Sequence, residues 1–125
     1  MLLQDRKLYF ITDIIDDEAG SSLIKLRINP GCEVFNGHFP GYPVVPGVCS
    51  METVRECAET VLGRKTFMRN IIQCRFRNII EPSKIGELTV KAEFKDIENG
   101  KRVNAVLFEN ETVYMELKAD LVYVA

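Results

Sequence analysis

The chain has 125 residues, of which 46% are hydrophobic and 27% charged, and its formal net charge is −2. A chain of this size can bury a real core, and this balance is too apolar and too weakly charged for a disordered polymer. The charge gives no reason to expect nucleic acid as a partner, no apolar run is long enough to cross a membrane, and residues 1–7 (MLLQDRK) are not a signal peptide.

Residues 8–15 (LYFITDII) are rich in β-formers and read as a strand, with a turn at Glu18-Ala19-Gly20-Ser21. Residues 22–29 (SLIKLRIN) alternate as a second strand, which Pro30-Gly31 breaks. Residues 36–47 (NGHFPGYPVVPG) carry Pro40, Gly41, Pro43 and Pro46 and read as a long, stiff, apolar loop. Val48, Met51, Val54, Ala58, Val61 and Leu62 then fall at helical spacing, and Gly63-Arg64-Lys65 is a helix stop, which predicts one helix over 47–62. Glu56, Glu59 and Thr60 lie off that stripe, and the two acids fit a solvated face.

The rest reads as strand. In 88–95, Leu88, Val90, Ala92 and Phe94 alternate with Thr89, Lys91, Glu93 and Lys95. Asn99-Gly100 is expected as a two-residue hairpin turn, Val103, Ala105 and Leu107 continue on the return strand, and Asn110-Glu111 is a further turn before the alternation at 113–121. Two strands, one amphipathic helix and about four antiparallel strands predict an α+β fold over residues 1–125, a single domain with a curved antiparallel sheet around one helix.

Three features point to chemistry. His38 is the sole histidine; a lone histidine is more often structural, but this one lies in a rigid loop that runs into a helix N-terminus, and imidazole titrates near neutral pH. Glu52 lies in the first two turns of the helix, on or beside the apolar stripe; it reads either as a carboxylate favoured there by the helix dipole or, if partly desolvated on the apolar side, as a proton donor. The amide of Gly47 or Val48 at the helix start can face an oxygen gaining negative charge. The four cysteines, 32, 49, 57 and 74, form no Cys-x-x-Cys pair, and with one histidine there is no metal pattern; reduced, mostly buried thiols in a cytoplasmic protein are expected.

The run from Gly37-His38-Phe39-Pro40-Gly41 through Pro46-Gly47-Val48, followed by Glu52, resembles the signature of the hot-dog-fold 3-hydroxyacyl-acyl-carrier-protein dehydratases. The resemblance implies a hot-dog fold and dehydration of a 3-hydroxyacyl thioester on acyl carrier protein to the trans-2-enoyl thioester. It implies that His38 removes the C2 proton, that Glu52 protonates the departing 3-hydroxyl, and that the Gly47 amide, with Val48 beside it, polarises the thioester carbonyl. No cofactor or metal is implied. A homodimer with shared sites is, since in the family the histidine and the acid of one site come from different subunits; a trimer of dimers is a further assembly. Phe39, Val44, Val45 and Met51 are candidates to line an acyl tunnel, and equally plain core.

Two departures mark this chain. The Pro-His-Arg segment with which family members usually begin is absent, and the glutamine usual four residues after the acid is replaced by Glu56, which either raises the pKa of Glu52 or points to solvent. These differences suggest a paralogue serving a specialised product such as a polyene. Arg64, Lys65, Arg69, Arg75 and Arg77 fall between Thr60 and Ile80 with no acid among them, either a solvated edge or a docking patch for an acidic carrier protein. The competing functions are a hot-dog thioesterase, an enoyl-CoA hydratase, and a non-catalytic acyl-binding subunit.

Overall fold

The computed structural model describes residues 8–16, 20–32, 35 and 44–125. The element order is β1 (Tyr9–Asp16), β2 (Ser21–Ile28), α1 (Gly47–Leu62), β3 (Thr66–Phe76), β4 (Glu87–Ile97), β5 (Gly100–Glu109) and β6 (Thr112–Tyr123). The strands form one sheet in the order β1-β2-β4-β5-β6-β3, every neighbouring pair antiparallel. The α+β architecture expected from the sequence is therefore present, with β1 and β3 as the two edges.

Period-two alternation builds the core. Ile24, Leu26 and Ile28 of β2, Leu88, Val90 and Ala92 of β4, and Val103, Ala105 and Leu107 of β5 are buried, while Lys25, Arg27, Glu87, Lys91, Glu93 and Asn104 are exposed. Val54, Cys57 and Ala58 of α1 join this core, and the helix packs against β3, β4, β5 and β6. α1 runs over the residues expected: Pro46 stands at its N-cap, and Gly63 closes it in the left-handed region at φ 70°, its N–H reaching the Glu59 carbonyl at 2.8 Å. No helix among the described residues is long and apolar enough to cross a membrane.

One hairpin differs from expectation. Ile97 pairs with Gly100, so the two-residue turn between β4 and β5 is Glu98-Asn99, not Asn99-Gly100. Asn99 takes the left-handed conformation itself (φ 57°), which asparagine tolerates. Gly100 is used for a close approach instead: a Cβ there would stand 2.1 Å from the Leu121 carbonyl oxygen on β6. The Asn110-Glu111 turn lies where expected, closed by Glu109 opposite Thr112.

Edge strand β3 lacks the clean alternation of its neighbours. Its register against β6 shifts twice, skipping Arg69 and Ile72. Phe67, Ile71, Ile72 and Phe76 are all exposed, with Ile79 just beyond. A monomer with this edge presents unpaired strand backbone beside large apolar side chains.

Candidate active site

The buried face of α1 is not the stripe read from hydrophobic spacing. Cys49, Ser50, Thr53, Val54, Glu56, Cys57 and Ala58 are buried, whereas Val48 is 73% exposed and Met51 only partly covered. The helix is rotated so that small and polar residues face the sheet. Thr53 Oγ1 donates to the Cys49 carbonyl one turn back, at 2.8 Å.

Glu56 is the main correction. It is not on a solvated face but 4% exposed, and Tyr9 Oη from β1 donates to its Oε1 at 2.8 Å. Burial, then the neighbouring Cys57 thiol and the Glu56 carboxylate, push the Tyr9 phenol well above its usual range, so Tyr9 stays a neutral donor. Burial and Glu56 likewise push the Cys57 thiol up. A buried thiol held protonated is not a nucleophile. None of the four cysteines is in a disulfide; Cys32, Cys49 and Cys57 are buried and Cys74 is half-buried.

Glu52 lies on the opposite flank of α1 from Ser50 and Cys57, with its side chain 33% exposed. Among the described residues its partners are ionic. Arg55 Nε donates to Glu52 Oε1. Arg55 Nη1 donates to Glu59 Oε2 at 2.6 Å and to the Thr66 carbonyl at 2.9 Å, and Glu59 Oε2 in turn accepts from the Thr66 N–H and Oγ1. The spacing of Glu52, Arg55 and Glu59 was a readable signal for this network, since residues three and four apart are neighbours on a helix surface. The Thr66 contacts, which tie it to the start of β3, had no local signal.

At the helix start, Cys49 N–H and Ser50 N–H both reach the Pro46 carbonyl, at 2.9 and 3.2 Å. The Gly47 and Val48 amides meet no acceptor among the described residues. Gly47 sits under the Phe76 ring, where a Cβ would stand 2.8 Å from Phe76 Cζ. Both ends of β3 thus touch α1, Phe76 near the helix N-terminus and Thr66 near its C-terminus.

His38 and Phe39 lie outside the described residues. Of the other tunnel candidates, Val45 lines a narrow apolar cleft between α1 and the sheet, with Leu8, Tyr9, Ile28, Ser50 and Ile80 among its walls. Val45 is fixed there by its N–H to the Ile80 carbonyl at 2.9 Å. Met51 packs on the core outside that cleft, and Val44 is half-buried.

Arg64, Lys65, Arg69, Arg75 and Arg77 are all exposed, on β3 or beside its ends. Several of them have partners within the chain: Arg75 donates to the Gln73 side-chain oxygen at 2.7 Å, and Arg69 lies close enough to Asp120 to help hold its carboxyl below the usual range. Arg64 lies 3.8 Å over the Tyr123 ring, and Arg77 pairs with Glu116 at 2.8 Å. Between them stand the apolar residues of β3, which the reading of this stretch as a basic patch missed.

A family model described as ApeI-like, the ApeI dehydratase, matches residues 15–115. The chain belongs to the ApeI-like dehydratase family. Among curated relatives, the 3-hydroxyacyl-[acyl-carrier-protein] dehydratase FabZ of Bacillus licheniformis is 33% identical over 88 residues, 65% of this chain and 57% of that protein. FabZ of Ligilactobacillus salivarius is 32% identical over 100 residues, 74% of this chain and 67% of that protein. The match to the Bacillus licheniformis relative therefore spans little more than half of its length.

Two solved structures carry the same fold. The dehydratase heterocomplex ApeI:P from Xenorhabdus doucetiae superposes with a TM-score of 0.71 at 22% identity, covering 90% of this chain and 96% of that one. A hypothetical thioesterase of Streptococcus pneumoniae, solved with coenzyme A, gives 0.63 at 12% identity, covering 94% and 86%. The ApeI-like chain has the hot-dog fold that its motif implied. A fold shared by dehydratases and thioesterases does not itself choose the reaction.

Proposed function

We propose that this ApeI-like protein dehydrates a 3-hydroxyacyl thioester carried on acyl carrier protein to the trans-2-enoyl thioester. The observation that carries the reading is that a dehydratase family model matches residues 15–115, the stretch that holds both His38 and Glu52. His38 takes the C2 proton, which the thioester makes weakly acidic. Glu52 gives a proton to the departing hydroxyl, and the Gly47 amide donates to the thioester oxygen as negative charge builds there. Base, acid and donor each meet one difficulty of the reaction: a poor carbon acid, a poor leaving group and an unstable enolate.

The site is composite. The Glu52 side chain is partly exposed on its helix flank, where a group from a second copy has access. The exposed Phe67, Ile71, Ile72 and Phe76 on edge strand β3 support a homodimer formed along that edge. The exposed basic residues Lys65, Arg69 and Arg75, which border the same edge, are positioned to steer an acidic carrier protein.

The test is a reversible assay of hydration and dehydration that follows enoyl thioester absorbance on a short acyl carrier protein substrate. The native protein interconverts the two thioesters, while His38→Ala and Glu52→Gln each lose at least about 100-fold in rate, as expected for removal of a general acid or base. Release of free thiol by the native protein identifies a thioesterase and overturns the reading.

A further inference from the structure

We infer that Arg55 is a positioning residue for Glu52, clamping the acid from outside the reacting atoms; this rests on the reading above that Glu52 is the proton donor. Three observations converge. Arg55 reaches Glu52 Oε1 through Nε alone, while its Nη1 is committed to Glu59 Oε2 and the Thr66 carbonyl. The far anchor is itself fixed, because Glu59 accepts from the Thr66 backbone and hydroxyl across the junction of α1 and β3. The Arg55 and Glu59 side chains are each 15% exposed, against 33% for Glu52, so the clamp is the covered part of the network and the acid the accessible part.

An exposed pair three residues apart on a helix holds its side chains only loosely and stabilises little. Arg55 differs because its guanidinium is planar. Once two partners fix one end of that plane, the direction of the Nε–H follows, and with it the place of the Glu52 carboxyl oxygen that accepts from it. A glutamate side chain has three rotatable bonds, and a proton donor that wanders by an ångström can lose about 100-fold in rate. The clamp removes that freedom without using the reacting atoms. Lysine in place of Arg55 offers one ammonium and cannot repeat the geometry.

The experiment compares the native protein with Arg55→Ala and Arg55→Lys in the hydration–dehydration assay, each alone and in the Glu52→Gln background, with thermal melts alongside. Arg55→Ala is expected to lower kcat by about 10- to 100-fold with KM within about twofold, and Arg55→Lys to recover only part of it. Added guanidinium ion at millimolar concentration restores part of the rate to Arg55→Ala. In the Glu52→Gln background the same substitution costs less than about twofold, because the residue it positions is gone. A loss of equal size in both backgrounds makes Arg55 a structural residue and overturns the inference, as does full activity of Arg55→Ala. If Arg55→Ala melts before assay, Glu59→Gln takes its place: it leaves Arg55 present but loosens its anchor, and an unchanged kcat there overturns the inference. The underlying reading fails separately, when the native protein has no dehydratase activity or Glu52→Gln keeps it all, and the inference falls with it.

Discussion

The Gly47 backbone and the Phe76 ring meet so closely that no side chain fits between them: a Cβ on Gly47 would stand 2.8 Å from Phe76 Cζ. The contact joins the first residue of α1 to the last residue of β3, and so sets where the helix start lies against the sheet edge. Gly47→Ala forces the ring or the helix start to move. Phe76 is 56% exposed, so the ring can give, and the cost is expected at the low end for an overpacked site, about 1 kcal/mol. A melt should show a drop of about 3–5 °C. Phe76→Ala in the same chain should return most of it, since the two substitutions share one contact. Additive losses would show that the contact does not set the helix start.

The pair of Tyr9 and Glu56 gives a prediction with a definite sign in pH. Tyr9→Phe removes the donor to a buried carboxylate oxygen and should cost about 1–3 kcal/mol in denaturant unfolding. Tyr9 and Cys57 both have folded pKa values raised above their ordinary ones. Above about pH 8.5 for the thiol and about pH 10 for the phenol, the unfolded chain gives up a proton that the folded chain keeps. Stability is therefore intact below those values and falls as pH rises through them, by about 1.4 kcal/mol per pH unit for each group. Tyr9→Phe should flatten the decline above pH 10 while leaving the earlier one. An alkaline melt of the variant parallel to that of the native protein would refute the assignment.

How far these relationships were legible depends on whether their causes are local. The helix from Gly47 to Leu62 was readable because its start, its period and its stop at Gly63 all lie within one stretch of chain. Strands β2, β4 and β5 were readable because one face of each is buried and the sequence alternates accordingly. Glu56 was misplaced because its partner Tyr9 lies 47 residues earlier, and nothing near position 56 announces it. The turn at Glu98-Asn99 was shifted by one residue because the need for glycine at 100 comes from a carbonyl on β6. The motif from Gly37 to Glu52 pointed to the family by resemblance alone; its spacing says nothing of the Arg55 clamp, which depends on where β3 begins.

Edge strand β3 was the hardest element to read, and it carries the last prediction. Its apolar residues fall at both parities, Phe67 and Ile71 on one and Met68 and Ile72 on the other, so no single buried face could be assigned from sequence. Such a pattern suits a strand that a second strand covers. If two copies join along this edge, a lysine in the middle of it places charge where backbone pairing and apolar contact are required. Ile71→Lys is expected to convert the protein from a dimer to a monomer of 14.2 kDa, read by light scattering on a sizing column. Ile71 is 54% exposed in the single chain, so the substitution should leave the fold intact, with an unchanged far-ultraviolet circular dichroism spectrum. Activity should fall with the dimer and recover in part at high protein concentration, where mass action restores the pair. A variant that remains dimeric and active would move the interface elsewhere, and with it the composite site.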